Sequence, residues 1–403
     1  SGAVMTVRVN KQPFNIREKL SEVERPIGVK GNELMRAETA QDARDLVSAG
    51  RKNLIINGDM RICQRYGFNN PQTADNTNKY YLDRFTVREN TSGAFQVRQS
   101  TPGYPFEAAM QINVTTADTS IASNEYARIQ YYVEGNDARA VDWGKSESKD
   151  HLTLSFWVRS NAPGDYHVSI ENSNNNYYPI MVKKYTIEQS DVWQKVVVTF
   201  PPPGEYNFHR GEGVGLRITW SLAIGSSYNT ATENSWFTSP YRMSTTAQKN
   251  FMDTVGNDFY LTGVQLEKGR NATDFEHRPY AEELKLCERY FEKIWQNNNT
   301  LSPHSGADGY NTISPGCHNG SHGYYVFKFR TQKRIRPSLD HGGKFRVFGA
   351  SSITNVTFNE FYSPGVDAAR LRVGHSGSAG DAFILEFDGG NSTIGYISAD
   401  AEL

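Results

Sequence analysis

The dominant pattern along this chain is a period of two. Leu152, Leu154, Phe156 and Val158 share one side of a run whose other side carries Thr153, Ser155 and Trp157. Val214, Leu216, Ile218, Trp220 and Leu222 repeat the pattern against Gly215, Arg217, Thr219 and Ser221. So do Val196, Val198 and Phe200, and Ile129, Tyr131 and Val133. Such alternation predicts strands with one buried face. Turn-forming stretches at 160–164, 172–176 and 201–204 separate the runs. Many short strands at this spacing predict an antiparallel β-sandwich of the jelly-roll kind over residues 53–279.

Two stretches break the pattern. Residues 1–52 hold no aromatic cluster, and Asn32 is a plausible N-cap for a helix over 33–48 with Gly50 as its stop. Its apolar residues are too few for a core, so it needs a partner: copies of itself or another protein. The Ser-Gly-Ala-Val before Met5 reads as a cloning remnant, which makes Met5 the expected natural start. The second break is a linker helix predicted over 280–295, opened by Pro279 and striped by Leu284, Cys287, Phe291 and Ile294. Beyond it, residues 296–403 begin with a long polar loop and continue as a small C-terminal β domain. There Tyr325, Phe327 and Phe329 alternate, and short runs at 345–348, 371–373 and 383–387 follow. The expected fold class is therefore mainly β, in four parts.

Composition narrows the function. With 43 basic and 44 acidic residues in 403, the formal net charge is −1, so nothing suggests a nucleic-acid partner. No apolar run is long enough to span a bilayer and no signal-peptide core opens the chain, so a soluble protein is expected. Cys63, Cys287 and Cys317 cannot all pair within one chain and read as reduced thiols. The richness in Asn, Thr, Ser, Gly, Tyr and Phe agrees with strands and turns.

Several phrases resemble a known module. Asn53-Leu-Ile-Ile-Asn-Gly-Asp-Met-Arg-Ile-Cys-Gln-Arg65 looks like the phrase that opens the sandwich in phage tail fibre and tail appendage proteins, with Cys63 where that phrase usually has Trp. Tyr81-Leu-Asp-Arg-Phe85, Leu154-Ser-Phe-Trp-Val-Arg-Ser160 and Leu261-Thr-Gly-Val-Gln-Leu-Glu-Lys-Gly269 resemble later landmarks. Phe275-Glu-His-Arg-Pro-Tyr280, the Cys287-Glu-Arg-Tyr-Phe291 phrase and the final Ala399-Asp-Ala-Glu-Leu403 follow in order. The resemblance implies a virion fibre subunit, commonly a homotrimer, whose N-terminal segment docks to other phage tail proteins.

Sugar recognition needs flat aromatic faces beside amides and carboxylates. Asn175, Tyr177 and Tyr178 in one loop, and Asn234, Trp236 and Tyr241 in another, supply that mixture. The same rings could instead cover sandwich edges or a neighbouring subunit. Trp220 belongs to the core, whereas Trp157 faces the opposite side of its strand and is either covered or lines a groove. His304, Cys317, His318 and His322 are the cluster with metal-ligand character, although loop histidines are more often plain polar surface. No hydrolase, P-loop, zincin or dinucleotide fingerprint occurs. Glu276-His277-Arg278 reads as a structural anchor, since adjacent residues of an extended chain point alternately. The expectation is a non-enzymatic fibre or adhesin without a cofactor, carried on the virion and binding a host surface glycan. The alternatives are a tail depolymerase or an adaptor without receptor contact.

Overall fold

The computed structural model describes residues 52–293, 312–374, 382–387 and 396–403, except 102, 146, 149, 173–178, 207, 230–231, 239–241, 319–320, 343–344, 349–352 and 363; it also describes 31 and 36. For the strand residues 312–318, 345–348, 353–360, 362 and 382–387 the description is of backbone alone. Apart from Arg36, the helix expected at 33–48 lies outside the described residues. Arg51–Leu403 form one compact unit.

The alternating runs become two antiparallel sheets. The first has the order β1 (Gln72–Thr73), β4 (Ala94–Ser100), β5 (Ala109–Thr116), β13 (Asp258–Lys268), β7 (Leu152–Ser160), β10 (Gln194–Phe200). The second runs β12 (Phe237–Thr238), β9 (Pro179–Ile187), β8 (Gly164–Glu171), β11 (Val214–Ile224), β6 (Tyr126–Glu134), β3 (Phe85–Asn90), β2 (Lys79–Leu82). Between them one core gathers the apolar phase of both, including Phe95, Ile112, Phe156, Val158, Leu261, Ile129, Ile218 and Trp220. Trp220 is fully buried, its ring 5.8 Å from Phe156 and 6.4 Å from Phe85. The described part is a mainly β protein built on an antiparallel sandwich.

The phrases that resemble the fibre module turn out to tie this sandwich together. The Asn53 amide donates to the Val264 carbonyl at 3.1 Å and its oxygen accepts from Ile55 and Leu266. Asn57 sits at φ +59°, its amide donating to the Ile62 and Asp83 carbonyls. Gly58 passes so close to the Val264 carbonyl that a Cβ would collide with it. Glu276 accepts from the Asn53 N–H at 2.6 Å, while Arg278 donates to the Asn53 carbonyl at 2.6 Å and pairs with Glu283 at 3.2 Å. Burial opposes the charge on Glu276, but those N–H donors and Arg278 outweigh it and hold the carboxyl below its usual range. The anchor role read for Glu276 and Arg278 is thus seen directly.

The predicted linker helix is shorter than expected. Helix α1 spans Tyr280–Glu288, with Cys287 packed on Ile56 and Ile62, and the chain then turns extended as β14 (Phe291–Lys293). Phe291 belongs to a strand because β14 pairs with β22 (Tyr396–Asp400), which also pairs with β17 (Ser338–Gly342). Its ring lies 3.7 Å under the Arg65 guanidinium. A continued helix would forfeit both the ladder and that contact. Beyond it, β15 (Thr312–His318), β16 (His322–Lys328), β20 (Ala368–Gly374), β19 (Ile353–Tyr362), β18 (Phe345–Phe348) and β21 (Ala382–Phe387) close in that order into a small barrel. Tyr325, Phe327, Leu371 and Val373 supply buried residues there.

The end of the chain returns to the sandwich. Arg84 pairs with Glu402 and Arg65 with Asp400 at 3.0 Å, while Arg334 donates to the Ala401 and Glu402 carbonyls. The Tyr80 hydroxyl donates to the Leu403 carbonyl at 2.8 Å. Among the described residues both Cys63 and Cys287 are free thiols, and burial raises the Cys63 thiol to about 11.

Candidate functional site

The outward phase of the first sheet carries the chemistry. Because strand residues alternate, the positions opposite Leu154, Phe156 and Val158 on β7 point away from the core. They present Trp157 and Arg159. Tyr260 does the same on β13, between buried Phe259 and Leu261. Strand register then aligns side chains that are distant in sequence. Arg98 lies opposite Gln111, Gln111 opposite Tyr260, and Tyr260 opposite Arg159. Trp193, just before β10, completes the row, its ring 6.1 Å from Tyr260 and 5.5 Å from the Arg159 guanidinium. The neighbouring row places Lys195 opposite Trp157 and Trp157 opposite Thr262.

One half of this face is covered. Phe106, Phe275 and His277 pack together, with Phe106 and Phe275 edge to face at 5.0 Å, and Thr262, Ser155 and Gln265 are buried. The other half is open: Trp157, Arg159, Trp193, Tyr260, Asn113 and Asp258 are half-buried, and Tyr104, edge-on to Trp157 at 6.5 Å, is 83% exposed. Arg159 lies 4.1 Å from the Tyr260 ring centre. At the other end of the row, Arg98 donates to Gln111 at 2.7 Å, and Asp258 accepts from Asn113 at 2.7 Å and from Gln111 at 3.3 Å. Flat rings therefore lie beside oriented amide, carboxylate and guanidinium groups.

The residues expected from sequence fall elsewhere. Asn175, Tyr177, Tyr178 and Tyr241 lie outside the described residues. Trp236 is half-buried against the core, its ring 5.5 Å from Trp143 and its Nε1 donating to the Pro201 carbonyl at 3.1 Å. Asn234 takes φ +61°, its N–H donating to the Val182 carbonyl. Close to Trp236, an open cleft of about 710 Å³ is lined by Trp143, Lys145, Glu147, Glu205, Tyr206 and Phe208, among others. Its rings are poor platforms: Trp143 and Phe208 are buried, and Arg210 is engaged with the Ala138 and Val141 carbonyls. Of the metal candidates, His304 lies outside the described residues, Cys317 and His318 are backbone positions on β15, and His322 Nδ1 lies 2.9 Å from the Ser321 hydroxyl.

Trp157 is the residue of the open face that the sequence reading singles out, as a large ring on the polar phase of its strand. Arg159, Trp193, Tyr260, Gln111 and Asp258 were missed, although Tyr260, flanked by two inward apolar residues, carried the same signal.

Compared with known families, the chain matches no family model, and it matches no curated protein. Among solved structures, the enzymatically active domain of a bacteriophage CBA120 tailspike protein aligns with 54% of this chain at 13% identity and a TM-score of 0.28. The chain spans only 21% of that tailspike's length. A family 11 carbohydrate-binding module from Clostridium thermocellum, solved with a mixed-linked tetrasaccharide, covers 49% of this chain and 95% of its own, at 10% identity and a TM-score of 0.25. The N-terminal cellulose-binding domain of Cellulomonas fimi β-1,4-glucanase C covers 47% and 90%, at 10% identity and a TM-score of 0.26. These likenesses are distant and reach no individual site; the sandwich is established by this chain's own strand order.

Proposed function

We propose that this protein is a non-catalytic fibre or adhesin subunit of a phage virion, which holds a host surface glycan on the open half of its six-stranded sheet. The observation that carries the reading is the row Tyr260–Arg159–Trp193 with Trp157 beside it. Rings lying on a rigid sheet take the apolar faces of pyranose rings, and the flanking amides and charges meet hydroxyls. Binding is weak per site and gains strength from many copies on one particle.

The test is binding of the intact protein to host cells and to purified surface polysaccharide, with Trp157→Ala and Tyr260→Ala as variants. Each is expected to weaken binding about tenfold while leaving the urea midpoint nearly unchanged, because both rings sit outside the core. Unchanged binding in both variants refutes this assignment of the face. Appearance of new reducing ends during incubation refutes the non-catalytic part.

A further inference from the structure

The charges on the open face narrow the ligand. Across β4, β5, β13, β7 and the edge before β10, the row Arg98–Gln111–Tyr260–Arg159–Trp193 covers four strand spacings, about 19 Å. Its cations are Arg98 and Arg159, with Lys195 beside Trp157 in the next row. The carboxylate nearby, Asp258, is already engaged by Asn113 and Gln111. Arg98 in turn directs its Nε at Gln111.

Arg159 is different. Its guanidinium lies over the Tyr260 ring with the Trp193 ring beside it, and among the described residues it makes no hydrogen bond or ion pair. Its Nε and the Trp193 Nε1 are both buried donors without a partner. A ring stacked on a guanidinium takes one π-face and leaves its N–H edge to be satisfied in plane. A planar fork of N–H donors matches a carboxylate in two parallel hydrogen bonds, a match that a neutral hydroxyl cannot offer. Exposed Lys195 adds a second positive charge on the same side, also without a partner among the described residues.

We infer that the occupant is an acidic polysaccharide, with a sugar carboxylate seated on Arg159 and neighbouring sugar rings resting on Tyr260, Trp193 and Trp157. This rests on the glycan-binding reading above and adds the chemical class of the sugar. The complementarity is local, since the whole chain is nearly neutral.

The test uses an array of bacterial capsular and lipopolysaccharide glycans, each printed intact and again after chemical reduction of its carboxyl groups to alcohols. Wild-type protein is expected to bind carboxylate-bearing glycans and to lose at least tenfold in signal on their reduced forms. Arg159→Gln should lose about as much on the intact forms and little on the reduced ones. Arg159→Lys, which keeps the charge and loses the fork, should fall between. Equal binding to intact and reduced forms, or binding to neutral glycans alone, overturns this inference and leaves glycan recognition standing. Binding to no glycan in either form overturns both. The comparison of intact with reduced glycan needs only the wild-type protein, so the inference is exposed even if Arg159→Gln folds poorly.

Discussion

Replacing Glu402 by alanine probes the contact that returns the end of the chain to the sandwich. The Arg84 side chain is 1% exposed and that of Glu402 4%. Arg84 also donates to the Tyr132 carbonyl at 2.7 Å and lies 3.5 Å from the centre of the Tyr290 ring. Burial works against a guanidinium there, yet the Glu402 carboxylate, together with Tyr131, Tyr290 and Tyr80 around it, outweighs burial and keeps Arg84 protonated. Glu402→Ala leaves that cation buried without its counter-charge and strips Arg65 of one of two partners. Breaking a buried pair from one side costs about 3–5 kcal/mol. Urea unfolding followed by tryptophan fluorescence reads this as a lowered midpoint at nearly constant slope. The paired change Arg84→Met with Glu402→Leu should recover at least half the loss, because it removes both desolvated charges together. A loss under about 1 kcal/mol for the single variant, or a double variant no better than the single, refutes the reasoning.

Further outcomes follow from the same geometry. Burial lifts the Asp83 carboxyl to about 6, against the pull of Arg65 and the Gln64 donors. The folded state therefore holds that proton more tightly than the unfolded chain, and the stability it contributes falls as pH rises from about 4 through 6. Wild-type stability relative to Asp83→Asn should drop by roughly 2–3 kcal/mol across that window, and a flat difference in urea titrations refutes it. Gly58→Ala drives a methyl group into the Val264 carbonyl and should cost about 1–3 kcal/mol or more, measured by the same unfolding curve. Lys333 and Glu292, fully buried and 2.6 Å apart, predict a loss of about 3–5 kcal/mol for Lys333→Met, largely restored by adding Glu292→Leu. Light scattering should give about 136 kDa, three copies of the 45.3 kDa chain, if the fibre reading holds; a monomer argues against it.

Much of the sandwich was legible because its signal is local. Alternation at 152–158 and 214–222 placed β7 and β11 within two residues of their ends, and it put Trp220 in the core. The 345–348, 371–373 and 383–387 runs likewise fall within strands of the barrel. The end of α1 was misread because Leu284, Cys287 and Phe291 also fit a helical stripe. Pairing of Phe291 with Asp400, more than a hundred residues away, decided for strand.

The sequence by itself determined which positions are inward and which outward, since a period of two is written in neighbouring residues. It also carried the asparagine, glycine and arginine phrases whose hydrogen bonds join the segments at 53–65, 81–85 and 261–280. Only the tertiary structure decided which outward residues meet. Trp157 and Arg159 come beside Tyr260 because β13 lies between β5 and β7, and Gln111 and Arg98 extend the row through the same ladder. Strand order and register arise from the joint packing of two sheets on one core, a sum over long-range contacts that no window of neighbouring residues contains.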